Sequence, residues 1–172
     1  WNSDTFFSLT KAFELPTNNQ IKTFSRGMRM KAALTIALSH DAKLLILDEA
    51  TAGMDVSGRE HVLEILEDYL GDDRAILISS HISEDIEQLA TQLVFMRDGR
   101  IILKESKEVL LSQYGIIDQP VEHFNISNEY LIATRRRNDR QISLVNNYQK
   151  VPDAQPLKTI DDATKIIMRG EV

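Results

Sequence analysis

Leu44-Leu45-Ile46-Leu47, closed by Asp48-Glu49, constrains this chain more than any other stretch. A run this short and apolar at every position cannot alternate one wet and one dry face. It predicts a parallel strand buried on both sides. Two adjacent carboxylates at its end then stand at the carboxyl edge of a parallel sheet, where open α/β sheets bind ligands. The first can hold Mg²⁺, usually through water, because that ion sheds its shell reluctantly. The second can polarise an attacking water as a general base. Two solvated acids closing a strand are the plainer alternative, so the neighbouring segments have to decide.

The flanking pattern supports the sheet. Phe6, Phe7, Leu9, Phe13 and Leu15 recur at helical spacing after Ser3-Asp4, and Pro16 ends that element. Ser25 is placed to cap a second helix running to about Ser39. Val56 to Leu70 reads as an amphipathic helix, Ala75 to Ser79 as a second buried strand, and Ser83 to Thr91 as a further helix. Strand, helix, strand, helix implies a doubly wound sheet with crossover helices. Leu93 to Met96 and Ile101 to Leu103 flank Asp98-Gly99 and predict a hairpin. A short helix is expected over Lys107 to Tyr114. From about residue 116 the texture changes to a small α+β appendage, with short antiparallel strands over Val121 to Val145 around a polar turn at Asn138-Asp139 and a last helix over Asp161 to Met168.

Two further elements add to the acid pair. Phe24-Ser25-Arg26-Gly27-Met28 places a hydroxyl and a glycine at a helix start, whose unpaired N–H groups attract phosphate. Ser79-Ser80-His81 ends the second strand and brings an imidazole to the same rim, since parallel strands share a carboxyl end. His40, His61 and His123 lack such placement and read as surface or packing residues.

In this order and spacing the pieces resemble the ABC ATPase family. Phe24 to Met28 is similar to its LSGGQ signature, with Arg26 for the first glycine and Met28 for the glutamine. Leu44 to Glu49 resembles the Walker B strand and catalytic glutamate, Ala52-Gly53-Met54-Asp55 the D-loop, and His81 the switch histidine. Ala50 stands where proline is commoner. Ser25 precedes Asp48 by 23 positions and Glu49 precedes His81 by 32, both suiting the family. Arg97 to Ile101 resembles the D-G-R-I hairpin that follows the histidine. No G-x-x-x-x-G-K-[ST] phosphate loop occurs. Gly53 and Gly58 followed by Arg59-Glu60 mimic its spacing, but the lysine is absent and Glu60 would repel phosphate. Since the chain starts at Trp1, the phosphate loop and other front motifs are expected upstream.

The resemblance implies a P-loop NTPase-like α/β fold: a partial doubly wound sheet with a helical signature subdomain (1–42), the C-terminal part of the ATPase core (43–115) and a small C-terminal α+β appendage (116–172). It implies ATP and Mg²⁺ as cofactors, and two nucleotide-binding domains meeting head to tail. Glu49 and His81 would be catalytic, and Asp48 would hold Mg²⁺ through water. Ser25, Arg26 and Gly27 would serve the ATP of the facing subunit, with Asp55 at the dimer seam. The partners implied are a second nucleotide-binding domain and a transmembrane permease subunit, at the inner face of the cell membrane. The expectation is an exporter-type transport ATPase, inactive in these 172 residues alone. A soluble ABC ATPase of translation or DNA repair is the first alternative, and would show paired cassettes or long coiled coils. A non-enzymatic regulatory module is the second, and the retained Glu49 and His81 speak against it.

Composition closes several other routes. With no cysteine there is no disulfide, thiolate zinc site or cysteine nucleophile. A net charge of −6 gives no basic surplus, so no nucleic-acid partner is expected. No apolar run approaches the roughly 20 residues of a spanning helix, which makes any membrane role peripheral. Arg135-Arg136-Arg137 and Arg140 read as a solvated hairpin turn, with a basic docking patch as the alternative. Exposed sheet edges and apolar faces are expected to invite pairing with another copy.

Overall fold

The structure, a computed structural model, describes residues 1–171. It divides into two compact units, one of residues Trp1–Leu89 and one from Ala90 onward.

The first unit is built on helices and one parallel strand pair. Helix α1 (Ser3–Ala12) is capped by Asn2, whose side chain accepts from the Thr5 N–H at 3.0 Å, one residue ahead of the expected Ser3-Asp4 cap. It stops before Leu15, because Glu14 turns into the left-handed region at φ 54. Helix α2 (Arg26–Leu38) is capped by Ser25, and helix α3 (Val56–Tyr69) by Asp55. Between them strand β1 (Leu44–Asp48) lies parallel to β2 (Ala75–Ser79), with Leu45 opposite Ile76 and Asp48 opposite Ser79. Helix α4 (Ser83–Leu89) completes the unit.

Alternation along β1 and β2 sends one side of the pair into the core. Leu45, Leu47, Ile76 and Ile78 pack with Leu34 and Leu38 of α2 and Val62, Leu63 and Leu66 of α3. The other face is not covered as expected. Leu44, Ile46 and Leu77 are 53%, 71% and 59% exposed. The uniform apolarity of these strands fits two covered faces, but these residues supply a cover for one only.

The second unit begins with a hairpin of β3 (Gln92–Arg97) and β4 (Arg100–Ser106), turning at Asp98 and Gly99 with φ 50 and 73. Two consecutive left-handed residues match the strand twist, which is why Asp-Gly sits there. Helix α5 (Lys107–Gln113) follows, capped by Ser106. A four-stranded antiparallel sheet then forms from β5 (Gly115–Pro120), β6 (Leu131–Arg137), β7 (Arg140–Val145) and β8 (Gln155–Pro156), ordered β6-β7-β5-β8. Helix α6 (Ile160–Arg169) buries Ile160, Ala163, Ile166 and Ile167 and packs on β3, β6 and β7. Arg97 donates through its guanidinium to the Ile167 carbonyl at 2.6 Å and to that of Gly170. These bonds tie the hairpin to the carbonyl end of α6. The compact division therefore falls at Leu89, inside the segment 43–115, and hairpin and appendage share one unit. Arg140 pairs with Asp118 at 2.8 Å at the solvated turn.

Tyr114 gives this unit a pH signature. Its hydroxyl donates to Glu105 Oε2 at 3.2 Å, and burial, followed by the nearby Glu105 charge, pushes the phenol up from 10.0 to about 12. The folded chain keeps a proton that the unfolded chain releases above pH 10.0, so stability is full below that pH and falls as pH rises towards about 12. Thermal melts across this window should show a steeper loss for the parent than for Tyr114→Phe, and equal slopes would contradict the assignment.

Candidate functional site

Every residue expected to bear on nucleotide chemistry lies in the first unit. Asp48 ends β1 on the open face of the strand pair, and Ser79, its register partner, donates its hydroxyl to Asp48 Oδ1 at 2.5 Å. Glu49 is the next residue and leaves the strand with φ 52. A left-handed glutamate costs about 1–2 kcal/mol. Here the turn is fixed by its N–H, which donates to the Ser79 carbonyl at 3.0 Å and hydroxyl at 3.3 Å, and by the Ala52 N–H donating to the Glu49 carbonyl at 3.0 Å. The strained backbone swings the carboxylate onto His81, whose Nδ1 lies 2.5 Å from Glu49 Oε2. Both side chains meet solvent, His81 being 71% and Glu49 36% exposed. Asp48, Glu49 and His81 thus stand on one rim.

The helix tip beside the D-loop forms a second cluster. Ser25 Oγ accepts from the Met28 N–H at 3.2 Å, which fixes the first turn of α2. A side chain at Gly27 would sit 3.8 Å from the Gly53 carbonyl and 3.8 Å from Met54, ordinary contact distances. The stem of Arg26 lies across Gly53, which holds φ 79. Asp55 accepts from the Gly58 N–H at 2.9 Å as the cap of α3. That bond uses the amide a phosphate would need, so Gly53 and Gly58 form a helix start and not a phosphate cradle.

Asp48 suits Mg²⁺ by its donor chemistry. Its carboxylate is exposed, and Oδ1 already takes the Ser79 hydroxyl, leaving the other oxygen for a hydrated cation. Among the described residues no group of three or more acidic, histidine or cysteine side chains could hold a metal by itself.

Ser79 and, behind the rim, Thr51, Arg59, Ser80 and Asp85 were not singled out by sequence. The parallel pairing of Asp48 with Ser79 is a signal that could have found Ser79. Asp85 has none, because charged residues in a helix normally read as solvated.

A parallel β-α-β unit with adjacent acids at one strand end and an imidazole at the next is partial P-loop NTPase-like architecture. Comparison with known proteins then gives the family. Residues 5–52 match the ABC transporter family. The lantibiotic transport ATP-binding protein SrtF of Streptococcus pyogenes is 37% identical over 116 residues, 67% of this chain and 47% of that protein. A solved ATP-binding subunit of an ABC transporter superposes with TM-score 0.58 and 24% identity, over 63% of this chain and 46% of the other. A dimeric bacterial ABC transporter cassette does so with TM-score 0.54 and 18% identity, over 60% and 46%. The chain belongs to the ABC nucleotide-binding domains, and it spans about half the length of the curated relative. Among the described residues no helix is long and apolar enough to cross a membrane.

Proposed function

We propose that this chain is part of the ATP-hydrolysing subunit of an ABC transporter of the bacterial exporter type, working at the inner face of the membrane with a transmembrane permease subunit. The observation that carries the reading is the Glu49–His81 contact of 2.5 Å beside Asp48 on one sheet rim. Similarity to a lantibiotic transport ATP-binding protein supports the transport role, and similarity to a Nod factor export ATP-binding protein supports the exporter class. In this reading Glu49 takes the proton of the attacking water, and His81 contacts the γ-phosphate. Asp48 would hold Mg²⁺, whose charge would offset that developing on the phosphate.

Two copies would sandwich ATP head to tail; a cassette of like fold is dimeric. Ser25, Arg26 and Gly27 would then offer a helix start and a cation to the nucleotide of the facing copy. Asp55 would lie at the seam. ATP binding joins the copies, and hydrolysis separates them and moves the permease. The 172 residues alone, without a phosphate loop, are read as inactive.

Composite sites make a sharp demand on mixing experiments. In the complete subunit, Glu49→Gln and Gly27→Asp should each abolish hydrolysis, the latter by placing a carboxylate where phosphate docks. Gly27 has room for the side chain. Mixing the two should restore phosphate release, because mixed dimers hold one intact site. Mixtures as inactive as their components would overturn the head-to-tail arrangement.

A further inference from the structure

Asp85 is a fully buried carboxylate, with 0% of its side chain exposed. Its Oδ2 accepts from the Thr51 hydroxyl and from the Ser80 hydroxyl at 3.2 Å, and Arg59 Nε faces its Oδ1 at 3.5 Å. Thr51 is itself buried and follows Glu49 by two residues, whereas Ser80 directly precedes His81. Ser80 Oγ also accepts from the Ile82 N–H at 3.0 Å, fixing the turn around the histidine. The strand ladder ends at Asp48 and Ser79, and past it the Glu49 N–H still donates to the Ser79 carbonyl at 3.0 Å, which leaves Thr51 and His81 to be held by side-chain contacts. A solvent-exposed pair such as Glu49–His81 holds two loops weakly. A buried carboxylate shared by both loops holds them far more firmly, since leaving any partner unpaired in the interior is costly.

We propose that Asp85 is the positioning residue of this site: from the base of α4 it clamps the Glu49 loop to the His81 loop, setting the distance between general base and imidazole. Arg59 of α3 lies near enough to offset its charge, without a hydrogen bond to it. A buried ion pair is often no more stabilising than apolar packing of the same volume. Its geometric role therefore separates from a contribution to stability. The inference rests on Glu49 and His81 being the hydrolytic pair.

Two measurements test it. On the 172-residue chain at fixed pH, nitrogen-15 NMR of the His81 ring should report the Nδ1–Glu49 hydrogen bond in the parent and its loss in Asp85→Asn and Thr51→Val. In the complete subunit the same variants should lower kcat on the order of 10–100-fold, with KM for Mg-ATP little changed. Joined to Glu49→Gln they should cause no further loss. Thr51→Val, which removes one hydroxyl, keeps the test open if changes at Asp85 prevent folding. An unchanged His81 ring signal, or unchanged kcat while Glu49→Gln is inactive, overturns the clamp alone. Full activity of Glu49→Gln overturns the clamp together with the site reading.

Discussion

Glu49→Gln in the complete subunit is expected to lower ATP hydrolysis about 10²–10⁴-fold, the usual contribution of a general base. Glutamine keeps the length and an acceptor oxygen of the side chain, so Mg-ATP and the facing copy should still bind. The amide cannot take a proton from water, and that step alone is lost. The backbone of residue 49 should hold its turn, since it is fixed through its own N–H and carbonyl by Ser79 and Ala52 and not through the carboxylate. Steady-state phosphate release measures the first effect, and size-exclusion chromatography with ATP measures the second. The expected pattern is an inactive protein that accumulates as an ATP-bound dimer. Hydrolysis at the parent rate would remove Glu49 from the mechanism.

Calorimetry with Mg-ATP on the 172 residues should give no binding signal. Each charge-assisted hydrogen bond to phosphate contributes roughly 1.5–3 kcal/mol. A phosphate loop supplies about four, so a site lacking one forgoes on the order of 6–12 kcal/mol. A micromolar ligand binds with only about 8 kcal/mol in total. Nothing in the sequence substitutes: there is no G-x-x-x-x-G-K-[ST], and the nearest mimic spends its Gly58 amide on Asp55. Micromolar affinity in this chain would show that phosphate is gripped by other residues, and the site would need reassignment.

Legibility followed the range of the forces involved. Helix α2 with its Ser25 cap, strands β1 and β2, and the Asp98-Gly99 turn were readable because each rests on residues close together in sequence. So was the shared rim of Asp48, Glu49 and His81, since parallel strands deliver their ends to the same edge. Strand β5 was not legible: Gly115 to Pro120 has no clear alternation, and it is a strand because β7 and β8 flank it. The division at Leu89 was equally hidden, because it reflects packing between elements far apart in sequence, such as α6 on β3, whose Arg97 bonds the Ile167 carbonyl some 70 residues away.

The sequence by itself determined the local elements, the family resemblance and the chemical types gathered at the rim, because propensity, capping and strand direction act within a few residues. Only the tertiary structure decided which strand face lies open, that Glu49 adopts φ 52 against His81, and that Asp85 sits buried between Thr51 and Ser80. Those facts depend on which distant groups are at hand to satisfy a buried charge or cover an apolar face, and a linear order of residues does not specify distance in space.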